Sequence, residues 1–120
     1  MPEQKLADDL LLMLEHIDIT ISYFEEIKTP DDFIITKNGN AFLDAIIMHL
    51  QVTGEILKRC YTENIPIFSP HTSVPWDEII RLRDLISHHY DKLQHDIVFD
   101  ICKNHVPTLK ITLEEILKAI

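Results

Sequence analysis

Apolar residues recur along most of this chain at spacings of three and four, which is the period of an amphipathic helix. They predict a first helix over residues 3–28, with an apolar stripe formed by Leu6, Leu10, Met13, Leu14, Ile17, Ile21 and Phe24. The run from Thr29 to Asp32 contains a proline and ends this pattern. Gly39, between two asparagines, marks the start of a second helix, which we expect from about Asn40 to Tyr61.

The second predicted helix is apolar on most of its sides. Its large apolar residues are Phe42, Leu43, Ile46, Ile47, Met48, Leu50, Ile56 and Leu57. A helix that is apolar all round is usually buried, either in the core of its own chain or against another subunit. The pattern therefore leaves two interpretations open: a core helix, or the contact face of a dimer.

The C-terminal half predicts two further helices. Residues from Thr62 to Val74 are rich in Pro, Ser and Thr and are expected to form an exposed loop. A third helix follows Pro75, and a last one runs from about His95 to Lys118, bent or split by Pro107. Strand-like alternation does not persist anywhere. We therefore predict one all-α domain, an up-and-down bundle of four to five helices spanning residues 1–120.

Composition narrows the class of protein. No apolar run approaches the ~20 residues that a membrane span needs, and the first residues lack the features of a secretory signal. Two cysteines are too few for a disulfide framework, so we expect free thiols and a cytoplasmic location. The net charge is −9, but the charged residues are unevenly distributed along the chain. Residues 1–50 carry three lysines and ten acidic residues, whereas residues 51–120 carry eight basic and ten acidic residues.

The third predicted helix carries the residues most suited to chemistry. Its apolar arc is formed by Trp76, Ile79, Ile80, Leu82 and Ile86. Arg83 lies in or beside this arc, where a guanidinium needs a carboxylate partner or a cleft. His88 is five residues further on, which on an ideal helix rotates it about 140° from Arg83. Either the helix loosens before His88, or a second copy of the chain completes the site, and we expect the two together.

The pattern Arg83-x4-His88-x-Tyr90 resembles the motif of HEPN domains in the form found in HepT-like toxins. The similarity extends from about Leu6 to Leu117 and includes Gly54-Glu55, Pro75-Trp76-x-x-Ile79-Ile80-x-Leu82, Ile97-Val98-Phe99 and Asn104-x-x-Pro107-x-Leu109. The chain departs from the family pattern after the motif. Asp91 and Lys92 replace an aromatic residue and a glycine, Ser87 replaces an aliphatic residue, and Gln94 replaces an aspartate.

The resemblance implies a HEPN-like bundle that cuts RNA without a metal ion or cofactor. Histidine can move a proton near neutral pH, so His88 is the expected catalytic acid or base. Arginine can donate two hydrogen bonds to a phosphate, which is the role implied for Arg83. Asp84 would position either residue, and Tyr90 would line the cleft. A homodimer would place two such sets around one groove.

The resemblance also implies a partner. In HepT-like proteins the motif tyrosine is an acceptor for nucleotide transfer by an MNT-type nucleotidyltransferase antitoxin, which points to Tyr90 here. A nucleotide on Tyr90 would put an anionic phosphate beside Arg83 and exclude RNA.

Other interpretations of these residues stay open. Arg83 could simply pair with Asp84, Glu78 or a carboxylate of another helix, and His88 could be a helix-end residue. The chain would then be a non-catalytic HEPN module that docks with a nucleotidyltransferase or binds a nucleotide. His89 is expected to be structural. The remaining histidines have no metal-ligand spacing, so no zinc site is expected.

Overall fold

The fold consists of helices throughout the described part of the chain. The computed structural model describes residues 1–89 and 94–120, without the side chains of residues 85–89. The helices are α1 (Pro2–Phe24), α2 (Asp32–Ile35), α3 (Lys37–Glu63), α4 (Ile65–Phe68), α5 (Trp76–His89), α6 (His95–Asp100), a π-helix (Ile101–His105) and α7 (Val106–Ala119). No strand occurs in these residues. The prediction of an all-α bundle is confirmed.

Helix α1 lies antiparallel to α3, and this pair is the centre of the bundle. The direction follows from contacts at three levels: Asp9 binds Arg59, His16 contacts His49, and the Tyr23 ring packs on Phe42. Helix α5 packs on another side of α3, and α7 packs on α1. Positions along α1 and α3 can therefore be matched from one helix to the other.

The buried apolar side chains form two clusters. The larger one fills the space between α1, α3 and α7 and contains Leu6, Leu10, Met13, Ile17, Ile56, Leu57, Cys60, Phe68, Val74, Trp76, Ile101, Val106, Leu109, Leu113 and Ile116. The smaller one lies towards the other end and contains Ile27, Phe33, Ile46, Ile47, Val98 and Cys102. Much of the apolar surface of α3 is thus used within its own chain.

The first helix ends earlier than its apolar pattern predicts. It stops at Phe24 rather than near residue 28, because Asp32 stabilises a turn by accepting hydrogen bonds from the amides of Lys28 and Thr29. These bonds also lower the pKa of Asp32. The turn leads into α2.

Helix α3 starts before Gly39 rather than after it, because the Thr36 side chain caps it by accepting a hydrogen bond from the Gly39 amide. Gly39 is required for packing, since a side chain there would overlap the Asp32 carbonyl. The segment from Thr62 to Val74 was expected to be an exposed loop, and this prediction is wrong in part. Helix α3 continues to Glu63, the one-turn helix α4 follows, and Phe68 and Val74 are buried.

The last predicted helix is divided, as expected, just before Pro107. Proline lacks an amide hydrogen and its ring crowds the carbonyl four residues earlier, so a regular α-helix cannot pass through it unchanged. The wider π-helix occupies the turn before α7, where Pro107 lies in the first turn. Among the described residues, no helix is long and apolar enough to cross a membrane.

Candidate active site

Arg83 lies where α5 crosses α3, and Gly54 makes this close crossing possible. A Cβ atom built on Gly54 would lie 2.5 Å from the Cβ atom of Arg83 and 2.8 Å from its Cγ atom. Any larger residue at this position would therefore push the arginine away. The first carbons of the Arg83 side chain pack directly on the backbone of α3, which leaves the side chain 24% exposed.

Two carboxylates hold the guanidinium of Arg83. Its Nη1 donates to Asp84 Oδ1 at 2.8 Å, and its Nη2 donates to Glu55 Oε1 at 3.1 Å. The hydrogen bond to Asp84 is the main reason that the pKa of Arg83 is raised, and Glu55 adds to it. The buried Nε atom has no hydrogen-bond partner among the described residues. The predicted need for a partner is confirmed, and the partners are Asp84 and a carboxylate of another helix rather than Glu78.

The contact with Asp84 changes where the guanidinium lies relative to His88. Helix α5 continues to His89, so the expectation that the helix loosens before His88 is wrong, and the Cα positions of residues 83 and 88 stay about 140° apart. Asp84, however, is four residues before His88, and positions four apart share one side of a helix. The hydrogen bond to Asp84 therefore places the guanidinium of Arg83 towards the side of α5 that contains position 88.

Part of the predicted site lies outside the described residues. Tyr90, Asp91 and Lys92 are not described, and no contact of the His88 or His89 side chain is described either. Of the predicted set, the structure therefore brings together Arg83 and Asp84 and adds Glu55. In the sequence, Glu55 is notable only as part of the Gly54-Glu55 pair, which does not indicate a role for it.

Lys58, Arg59, Arg81 and Arg83 form a mixed cluster of charges with carboxylates rather than a purely basic patch. Lys58 Nζ lies 3.8 Å from Asp84 Oδ1, and Arg59 Nη2 lies 2.9 Å from Asp9 Oδ1. Together with Arg83, these side chains each face a carboxylate. Exposed Arg81 has no ion pair within the part of the chain that the structure describes. An incoming phosphate would therefore compete with carboxylates for most of these cations.

An apolar cleft of about 220 Å³ lies beside this cluster, between α5 and the C-terminal helices, with α3 as its floor. Arg83 contributes to its edge, and the π-helix contributes Ile101 and His105 to one wall. Most of the other lining residues are aliphatic: Leu50, Ile79, Leu82, Ile97, Val106 and Leu109. This lining suits an uncharged ring or an alkyl group rather than a phosphate.

A pair of histidines on another side of α3 was not foreseen. His16 Nδ1 and His49 Nδ1 are 2.9 Å apart, so one ring donates a hydrogen bond to the other. Partial burial lowers the pKa of His49, and the neighbouring His16 lowers it further. The two residues are 33 positions apart, so only the antiparallel register of α1 and α3 could have revealed the contact. Within the described ranges, no three His, Cys, Asp or Glu side chains are arranged to hold a metal ion.

The two cysteines are not candidates for a catalytic role. Both are free and buried. Burial raises the pKa of each thiol to about 12, so neither is a reactive thiolate near neutral pH.

Comparisons with known proteins agree on one family. Residues 13–116 match the family model described as "Ribonuclease HepT-like". The chain is 33% identical over 122 residues to a Methanocaldococcus jannaschii protein named "Putative RNase MJ0127", which covers all of this chain and 93% of the relative. It is 30% identical over 110 residues to "Probable ribonuclease HepT" of Thermococcus cleftensis, covering 88% of this chain and 93% of the relative. No solved structure matches the chain significantly. The chain therefore belongs to the HepT-like family of the HEPN superfamily.

Proposed function

We propose that residues 1–120 act in the cytoplasm as one HEPN domain, a metal-independent endoribonuclease toxin that works as a homodimer. Arg83 and His88 are the proposed catalytic residues. Family membership and the ribonuclease names of the relatives support the reaction class. The observation that carries the proposal is the position of Arg83, which Gly54, Glu55 and Asp84 hold at the crossing of α3 and α5.

The proposed reaction needs no external nucleophile. The 2′-oxygen of a ribose attacks the adjacent phosphorus while the bond from phosphorus to the 5′-oxygen breaks, which leaves a cyclic phosphate and a 5′-hydroxyl. His88 would take the proton of the 2′-hydroxyl or return one to the leaving oxygen. Arg83 would donate to the phosphate oxygens as their negative charge grows.

Glu55 and Asp84 have different parts in this proposal. The Asp84 contact is the shorter one and comes from the neighbouring residue, so it can keep the guanidinium oriented throughout. The Glu55 contact at 3.1 Å comes from another helix and is the one that a phosphate oxygen would replace. Arg83 is therefore oriented before RNA binds, and a phosphate of the RNA then replaces the carboxylate of Glu55.

Neutralisation would act on Tyr90. In the proposed step the phenol oxygen attacks the α-phosphorus of a nucleoside triphosphate bound to an MNT-type antitoxin, and pyrophosphate leaves. The added nucleotide phosphate would then compete with RNA for Arg83. Mass spectrometry of the chain co-expressed with the antitoxin tests this step, and an unmodified Tyr90 in a neutralised complex would refute it.

The ribonuclease proposal is tested by RNA cleavage in the presence of a chelator. We expect His88→Ala and Arg83→Ala each to lower the rate by about 10²-fold or more. Arg81→Ala is the matched control, because it removes an exposed cation from the same helix. Equal cleavage by wild type and the His88 variant would sink the nuclease assignment.

A second candidate is a non-catalytic HEPN module that docks with a nucleotidyltransferase or binds a nucleotide. Two carboxylates already occupy the guanidinium of Arg83, and the net charge of −9 does not favour RNA. This function predicts that wild type leaves RNA intact but still binds the nucleotidyltransferase, and that Arg83→Ala weakens this binding.

A further inference from the structure

Lys58 lies on α3 one turn after Glu55, close to the guanidinium of Arg83. Its Nζ atom is 3.8 Å from Asp84 Oδ1, which is the same oxygen that accepts the hydrogen bond from Arg83 Nη1 at 2.8 Å. Because both nitrogen atoms lie near one oxygen atom, they are at most about 7 Å apart. Two positive charges are therefore held side by side where α5 crosses α3.

The contact between Lys58 and Asp84 is looser than the one between Arg83 and Asp84. At 3.8 Å it is too long for a hydrogen bond, and the two side chains are 51% and 43% exposed. An ion pair of this kind contributes little to stability, because water screens both charges. The lysine can therefore turn from the carboxylate to another anion at little cost, while Asp84 stays bound to Arg83.

The spacing of these two cations fits a strand of nucleic acid. Neighbouring phosphates of a single strand are about 6–7 Å apart, and each carries one negative charge. The planar fork of arginine suits a phosphate that must be oriented, whereas the mobile ammonium of lysine suits one that only has to be held. Glu55 and Lys58 are three residues apart and share one side of α3. When a phosphate replaces Glu55 at Arg83, the next phosphate of the strand can therefore reach Lys58.

We propose that Lys58 forms a subsite for the phosphate next to the one that Arg83 binds. The subsite holds RNA in place and takes no part in the chemical step. It places a second positive charge beside Arg83 on a chain whose net charge is −9, which favours a polyanion at this point of the surface. The proposal rests on the proposed function in taking RNA as the ligand.

Binding of a single-stranded deoxyoligonucleotide to the full chain tests the subsite without cleavage, because this strand lacks the 2′-hydroxyl that the proposed reaction needs. Fluorescence anisotropy gives Kd at several salt concentrations. Each neutralised phosphate of a single strand adds about 0.7 to the slope of log Kd against log salt. Lys58→Gln should therefore lower this slope by about 0.7 and raise Kd about 5- to 10-fold at ~50 mM salt.

Lys110→Gln is the matched control. It removes the same charge from α7, where Lys110 binds Asp18 at 2.8 Å, and should leave the slope unchanged. Lys58→Arg keeps the charge and should restore the wild-type slope. Circular dichroism checks that each variant folds. A wild type that does not bind the strand, an unchanged slope in Lys58→Gln, or an equal loss of slope in Lys110→Gln would each overturn the proposal.

Cleavage kinetics separate the subsite from a positioning role. If Lys58 acted by orienting Asp84 and Arg83, Lys58→Gln would lower kcat at saturating RNA. The subsite predicts instead that KM rises about 5- to 10-fold while kcat stays within about twofold of wild type. A fall in kcat with unchanged KM would overturn the proposal. If wild type binds the strand with the expected slopes but does not cut RNA, the proposed nuclease function is refuted and the phosphate subsite stands.

Discussion

Gly54→Ala is the most informative single change, because it tests whether the crossing of α3 and α5 sets the position of Arg83. The new methyl group would lie 2.5 Å from Arg83 Cβ, whereas carbon atoms in ordinary contact are about 3.5 Å apart or more. Helix α5 or the arginine must therefore move by about 1 Å. The contact between Arg83 Nη2 and Glu55, now 3.1 Å, would then be lost.

The expected effects on stability and activity differ in size. Crowding at a packed contact costs about 1–3 kcal/mol, whereas replacing glycine by alanine inside a helix stabilises it by about 1 kcal/mol. The net loss in the free energy of unfolding should thus lie between about zero and 2 kcal/mol. A displacement of about 1 Å at a catalytic group can lower the rate about 10²-fold. Gly54→Ala should therefore lower the rate of RNA cleavage strongly and the free energy of unfolding only slightly.

Two measurements on the same preparation test whether the crossing of α3 and α5 sets the position of Arg83. Urea denaturation gives the free energy of unfolding, and RNA cleavage gives kcat/KM. Thr62→Ala is the control, because it also raises helix propensity on α3 but lies about two turns from the crossing. If Gly54→Ala were more stable than wild type by about 1 kcal/mol and cleaved RNA at the wild-type rate, the close crossing would not set the position of Arg83.

Three further predictions concern charge, pH and thiol chemistry. Arg83→Lys keeps the positive charge but cannot hold Asp84 and a phosphate with one planar fork, so cleavage should fall while the melting temperature changes little; normal cleavage would contradict this. His49 has a lowered pKa in the folded state, so the unfolded chain binds the extra proton first, and stability should fall as pH drops below about 6.5. His49→Gln should flatten this pH dependence in thermal melts, and an unchanged slope would refute the assignment. Cys60 and Cys102 should react with a thiol reagent in the folded protein only as fast as it unfolds, and rapid modification of native protein at neutral pH would count against their burial.

The helices and their order could be read from the sequence because each buries one apolar face, and that face repeats along the chain. Their ends were less predictable, since they depend on single polar contacts. Asp32 ends the first helix region by accepting backbone hydrogen bonds, and Thr36 starts α3 before Gly39. Neither contact produces a periodic pattern.

The site was predictable only in part. An arginine in an apolar arc must find a partner, and this physical argument correctly predicted a paired Arg83. It could not select Glu55, because that residue is 28 positions away and its proximity depends on how α5 crosses α3. The sequence could not decide between a core helix and a dimer face for α3 for the same reason, because the answer depends on how the helices pack. The structure buries much of the helix within the chain and leaves Met48 exposed, so the core interpretation holds for the buried side and the dimer face stays a prediction.

The π-helix before Pro107 has a consequence for how the protein tolerates changes in length. It contains one more residue per turn than an α-helix needs, so the faces on its two sides are offset by about a quarter of a turn. Val98 and Cys102 thereby reach the smaller cluster, while Leu113 and Ile116 reach the larger one. Removing a single residue from Ile101–His105 would abolish this offset and rotate α7 out of register with the core. Natural variants with a one-residue deletion here should carry a compensating shift in their apolar pattern downstream.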